Sequence, residues 1–147
     1  MRSLMTLAAA LVLAIALTGR PALAQDATDQ TATTQAAIAQ VIQAQLAAFQ
    51  VDDGTLAFSY ASPGIRAQFG TADRFMTMVR TAYQPVYRPA GVEFLELVAT
   101  PRGPMQRVLF VGQDGVAVVA EYFMQRQGDG TWRISGVRLT RSDDGVV

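Results

Sequence analysis

The chain contains no cysteine, no histidine and no lysine, so all twelve cations among its 147 residues are arginines. Without cysteine there are no disulfides, thiolate metal sites, cysteine nucleophiles or lipid-modified N-terminal cysteine. Without histidine the commonest general base and the commonest metal ligand are missing. Without lysine there is no Schiff-base chemistry. Charge is sparse at 16% and aromatic residues make up 8%. What is present is an apolar half, 50% of the residues, in a length that suits one compact domain.

The N-terminus reads as a secretory signal peptide over residues 1–24. Arg2 supplies the positive start, residues 7–17 form an uninterrupted apolar run, and Ala22-Leu23-Ala24 offers an A-x-A cleavage site. A membrane anchor is the rival reading, but spanning a bilayer takes about 20 apolar residues and this run is shorter. Cleavage after Ala24 leaves 123 residues with ten arginines against twelve acidic groups, a net charge of −2. That balance argues against nucleic acid as a partner and gives no electrostatic reason to sit on an anionic membrane once the signal is removed. The expected location is periplasmic or secreted.

Residues 25–34 lack an apolar period and read as a flexible lead. From 35 to 50, Ile38, Val41, Ile42, Leu46 and Phe49 recur at helical spacing. Asp52-Asp53-Gly54 ends that helix, and Thr55 is placed to cap a short second one carrying Leu56, Phe58 and Tyr60, which stops near Ser62 before Pro63. Thr71 caps a third, with Asp73 in its first turn and Phe75, Met78, Val79 and Tyr83 on one face. Pro85 and Pro89 argue against helix and central strand over 84–90. Strands follow at 92–98, 106–111, 116–126 and 131–140, with Asp114-Gly115 and Asp129-Gly130 as hairpin turns. The expected class is α+β: three N-terminal helices packed on a curved antiparallel sheet of about four strands. The domain occupies residues 35–141 and a flexible tail 142–147.

Tyr122-Phe123-Met124, followed by Gly128-Asp129-Gly130-Thr131-Trp132-Arg133-Ile134-Ser135-Gly136-Val137, resembles the closing hairpin of the NTF2-like (cystatin-like) superfamily. Phe58-Ser59-Tyr60-Ala61-Ser62-Pro63-Gly64-Ile65 and Tyr83-Gln84-Pro85-Val86-Tyr87-Arg88-Pro89, taken with the signal peptide, are similar to the secreted domain-of-unknown-function family 4864. The resemblance implies a cone in which a curved sheet wraps a helix-lidded cavity. That scaffold serves elsewhere for small-ligand binding, for subunit contacts and for ketosteroid isomerase or dehydratase chemistry. Fold alone does not choose among them.

Pairing through the two Asp-Gly turns sets Val108 opposite Glu121 and Gln106 opposite Phe123, with Phe123 and Gln125 on the face of Trp132 and Ile134. Glu121 is then a lone carboxylate on an apolar face, a candidate general base or ligand contact unless an arginine pairs with it. Arg107, Tyr122, Arg126, Arg133 and Ser135 fall on the opposite, solvated or partner-contacting face. Tyr60, Tyr83 and Tyr87 gather where the cone would have its mouth, and with Phe94, Glu121 and Phe123 they complete the expected ligand-binding set. Asp52 and Asp53 lack a third oxygen ligand and read as a solvated helix end, and Glu93 and Glu96 fall on opposite strand faces. No metal site, cofactor motif, phosphate loop or nucleophile elbow is present. The sequence thus favours a non-catalytic module for a small apolar ligand or a protein partner, with a homodimer through the sheet as a further option. The alternative is an isomerase or dehydratase-like enzyme using Glu121 and a tyrosine.

Overall fold

A computed structural model describes residues 22–142. Residues 1–21, most of the expected signal peptide, and residues 143–147 of the expected tail lie outside the described residues. Five helices precede four strands: α1 (Ala22–Gln50), α2 (Gly54–Ser59), α3 (Pro63–Phe69), α4 (Ala72–Ala82), α5 (Gln84–Tyr87), β1 (Gly91–Thr100), β2 (Gly103–Val111), β3 (Ala117–Arg126) and β4 (Trp132–Arg141). The strands form one open antiparallel sheet in the order β1-β2-β3-β4. No helix among the described residues is long and apolar enough to cross a membrane.

In α1 the expected stripe is buried: Ile38, Ile42, Leu46 and Phe49 all sink into the core. The helix also runs through residues 25–34, where no regular structure was expected. Alanine carries helix propensity there, and Thr28, Thr31 and Thr33 each donate their hydroxyl to the carbonyl four residues back at 2.9 Å, so their side chains follow the helix.

The three expected helices become five, and the two extra ones start at prolines. Ser62 caps α3 by accepting from the Ile65 amide at 3.3 Å, and Pro63 follows in the first turn. Pro85 likewise opens α5, a single turn inside the segment expected to be neither helix nor strand. Proline ends the helix before it but suits the first turn of the next, where its missing N–H would be unpaired anyway. Asp53, not Thr55, caps α2, accepting from the Leu56 amide at 3.0 Å. Thr71 caps α4 as its sequence context predicts.

All four strands occur where expected, but β2 and β3 pair one residue out of the expected register. Val108 faces Ala120, Gln106 faces Tyr122, and Arg107 faces Glu121. The cause is loop parity. A two-residue Asp114-Gly115 turn would centre the pairing between those two residues, whereas the chain makes a three-residue loop, 113–115, centred on Asp114, with Gly115 in the left-handed region at φ 79°. Its amide bonds the Gly112 carbonyl, and the Gly112 amide bonds the Val116 carbonyl, both at 2.9 Å. The β3–β4 loop is built alike, and Ser135 then bulges from β4, so Phe123 faces Gly136 while Met124 faces Ile134.

Because side chains alternate along a strand, the one-residue slip exchanges the faces. Val108, Phe110, Ala120, Tyr122, Met124 and Ile134 form the buried inner face against α1 and α4, and Glu121 and Phe123 turn outward. Trp132 stays on the inner side with Ile134, half-buried.

Candidate functional site

Two backbone links set the place of the site. The Ser62 amide donates to the Ile134 carbonyl at 2.8 Å and the Ile134 amide to the Tyr60 carbonyl at 2.9 Å, joining the α2–α3 corner to β4. The helices then arch over the inner face beside β3 and β4 and leave a cavity of 460 Å³. Its helical wall is mostly apolar, with Phe49 from α1, Ile65 and Phe69 from α3, and Phe75, Met78 and Val79 from α4, and with the amides of Gln45 and Gln68 among them. Phe75 is central to that wall, in contact with Phe49, Phe58 and Phe69 at centroid distances of 6.3, 5.2 and 5.8 Å.

The sheet side of the cavity carries Tyr122, Ile134 and Val137. Tyr122 is fully buried and its hydroxyl has no hydrogen-bond partner. Burial, reinforced by nearby Tyr83, pushes its pKa upward from 10.0, so the group stays a neutral O–H. A buried hydroxyl left without a partner costs roughly 1–3 kcal/mol. Tyr83 also lines the cavity, but its proton is already committed to the Val137 carbonyl at 2.9 Å. Gln45 is similarly engaged, its Nε2 donating to the Ala57 carbonyl at 3.1 Å. Among the described residues no acidic or basic side chain lines the cavity.

Of the residues expected to form a site, the structure places Tyr83 alone in the cavity wall. Tyr60 packs on the core without lining the cavity, and Phe94 lies on the inner face of β1 opposite Val108. Tyr87 is half-buried, its ring packed edge-on against Phe49 outside the cavity. Its hydroxyl donates to Asp52, and the Arg88 guanidinium stacks on its ring at 3.9 Å. Asp52 also meets Arg88 Nη2 at 3.0 Å and Arg80 Nη2 at 3.5 Å. The Tyr87 hydrogen bond, opposed in part by desolvation and aided by Arg88 and Arg80, holds the Asp52 carboxyl below its usual range.

Glu121 leaves the apolar face on which the expected register placed it. It points outward and accepts from Arg138 Nε at 2.6 Å. Phe123 shares that outer face, with the Arg102 guanidinium 4.7 Å above its ring. The pairing of Glu121 with a tyrosine in one pocket is therefore not formed. Sequence reasoning missed Tyr122 because it assigned this residue to the solvated face; the signal that could have found it was the uncharged run of alternate positions Val118, Ala120 and Tyr122.

The fold and site define an α+β domain with a helix-roofed apolar pocket on one face of an antiparallel sheet. The chain belongs to the family described as domain of unknown function (DUF4864), whose pattern matches residues 31–146. No curated protein and no solved structure matches it.

Proposed function

We propose that the protein is an exported, non-catalytic module of the NTF2-like class that holds a small neutral ligand in the pocket under its helices. The observation that carries this reading is Tyr122, which lines an apolar cavity of ligand size and whose buried, protonated hydroxyl has no partner among the described residues. The lining favours an apolar body, and the absence of charged lining groups disfavours an ionised ligand, which would be desolvated there without compensation. One acceptor oxygen, such as a ketone or ester carbonyl, completes the match. Export draws its support from Arg2, the apolar run 7–17 and the A-x-A site. The NTF2-like assignment draws on the order of helices and meander and on the bulged β3–β4 hairpin.

The test is a fluorescence titration of a neutral naphthyl ketone whose emission reports the polarity around it. Saturable binding to the wild type is expected, weakened by about tenfold in Tyr122→Phe, the worth of one hydrogen bond near 1.4 kcal/mol. Equal affinity for both chains would remove Tyr122 from the site, and no binding by the wild type would sink the reading. Native mass spectrometry of the protein purified from its own periplasm would identify a carried ligand directly.

A further inference from the structure

With no cysteine in the chain, mild oxidants are left with methionine as their sulfur target. Four methionines lie among the described residues: Met76 and Met78 in α4, Met105 in β2 and Met124 in β3. Three of them are shut off from solvent, Met76 at 3%, Met105 at 8% and Met124 at 0% exposure. Met78 differs on two counts. It is half-buried, and it lines the pocket.

Helical spacing explains the difference. Phe75, Met78, Val79 and Ala82 recur at three- and four-residue steps on the face that α4 turns to the cavity. Phe75 and Val79 form the buried centre of that face, whereas Ala82 is exposed. Gln68, near the end of α3, also lines the cavity and is exposed. Met78 thus stands at the rim, between the buried lining and the open mouth, where a small oxidant dissolved in water reaches it without any unfolding of the core.

We propose that Met78 is an oxidation site that controls the pocket, its conversion to the sulfoxide by a peroxide closing the rim to apolar ligands; the regulatory half of this inference rests on the ligand-binding reading above. A sulfur lone pair attacks one oxygen of hydrogen peroxide as the O–O bond breaks, so an S–O bond forms and the sulfur is oxidised by two electrons. The second oxygen leaves as hydroxide and takes the proton from the transferred oxygen, giving the sulfoxide and water. The apolar thioether beside Phe75 and Val79 thereby becomes a polar group with a strong acceptor oxygen. That oxygen holds water which an apolar ligand must displace, and burying it against hydrocarbon is unfavourable. Enzymatic reduction restores the thioether, so the change is reversible.

The test treats the purified wild-type protein with dilute hydrogen peroxide, maps the added oxygen by peptide mass spectrometry and repeats the naphthyl ketone titration. Among the four methionines Met78 should oxidise first, the fold should persist by circular dichroism, and ketone affinity should fall about tenfold. Methionine sulfoxide reductases of both epimer specificities should restore it. Met78→Leu, close in volume and without the sulfur, should bind the ketone equally before and after the same treatment. Earlier oxidation of Met76, Met105 or Met124, or unfolding once Met78 is oxidised, would overturn the proposal. So would an oxidised wild type that binds as tightly as before, an affinity that the reductases leave lowered, or a Met78→Leu chain that loses affinity on treatment as the wild type does. If the untreated wild type binds no ketone, the ligand-binding reading and the control of it fall together, and the mapped oxygen still decides whether Met78 is the reactive methionine.

Discussion

Glu121 and Tyr122 are adjacent in β3 and face opposite sides of the sheet, the carboxylate bound to Arg138 on the outer face with its side chain 14% exposed, the phenol buried without a partner among the described residues. The two properties expected of a single site residue, a polar group and an apolar enclosure, thus meet at the tyrosine. Its chemistry differs from that of a carboxylate: with its pKa pushed upward, the phenol donates a hydrogen bond and does not act as a base near neutral pH.

The first prediction follows from that orphan hydroxyl. In the ligand-free protein, Tyr122→Phe removes a desolvated group that bonds nothing, and stability should rise by about 1 kcal/mol. Urea unfolding of both chains measures the change. A tyrosine hydroxyl with an overlooked structural partner would give the opposite sign, a fall of similar size. Raised stability together with weakened ketone binding is the combination expected of a binding group.

Acid stability supplies the second prediction. The folded Asp52 carboxyl lies below its unfolded value of 3.8, chiefly because Tyr87 donates to it. A depressed folded pKa gives stability that is present above the unfolded pKa and lost as pH falls through the folded one. Asp52 also adopts φ 54°, a conformation asparagine tolerates well, so Asp52→Asn removes the charge with little backbone strain. The variant should melt below wild type at pH 7, and the gap should close on titration from about pH 4 downward. A gap of constant size across that range would show that charge is not what Asp52 contributes.

How far the fold could be read ahead came down to parity. The α1 stripe, the Thr71 cap and all four strands follow from spacing and capping chemistry that act within a few residues. Which face a strand buries depends on one residue more or less in a loop, and an Asp-Gly pair fits two-residue and three-residue loops alike. The alternation in β3 does favour one face, since Val119, Glu121 and Phe123 mix apolar and charged character as Val118, Ala120 and Tyr122 do not. Read by polarity, the even-numbered positions were the better core. Pro63 and Pro85 were legible as stops; the Ser62 cap marks the helix that Pro63 begins, and no capping side chain marks the turn at Pro85.

The third prediction weighs two inner-face neighbours on β4. Trp132 is half-buried, at the end of the hairpin opposite Arg126, whereas Ile134 is 4% exposed, lines the cavity and carries the backbone bonds to Tyr60 and Ser62. Full burial would make loss of an indole cost about 3–5 kcal/mol, and partial exposure brings Trp132→Ala to about 2 kcal/mol. Ile134→Ala empties a packed site whose backbone is held on both sides, so the surroundings collapse little and the cost should reach about 3–4 kcal/mol. The smaller side chain should thus be the more costly loss. Urea midpoints of the two variants decide it, and a larger drop for Trp132→Ala would place the indole in the core and contradict the observed burial. Ile134→Ala should also enlarge the cavity, so the naphthyl ketone should restore part of its lost stability, through binding to the folded state alone.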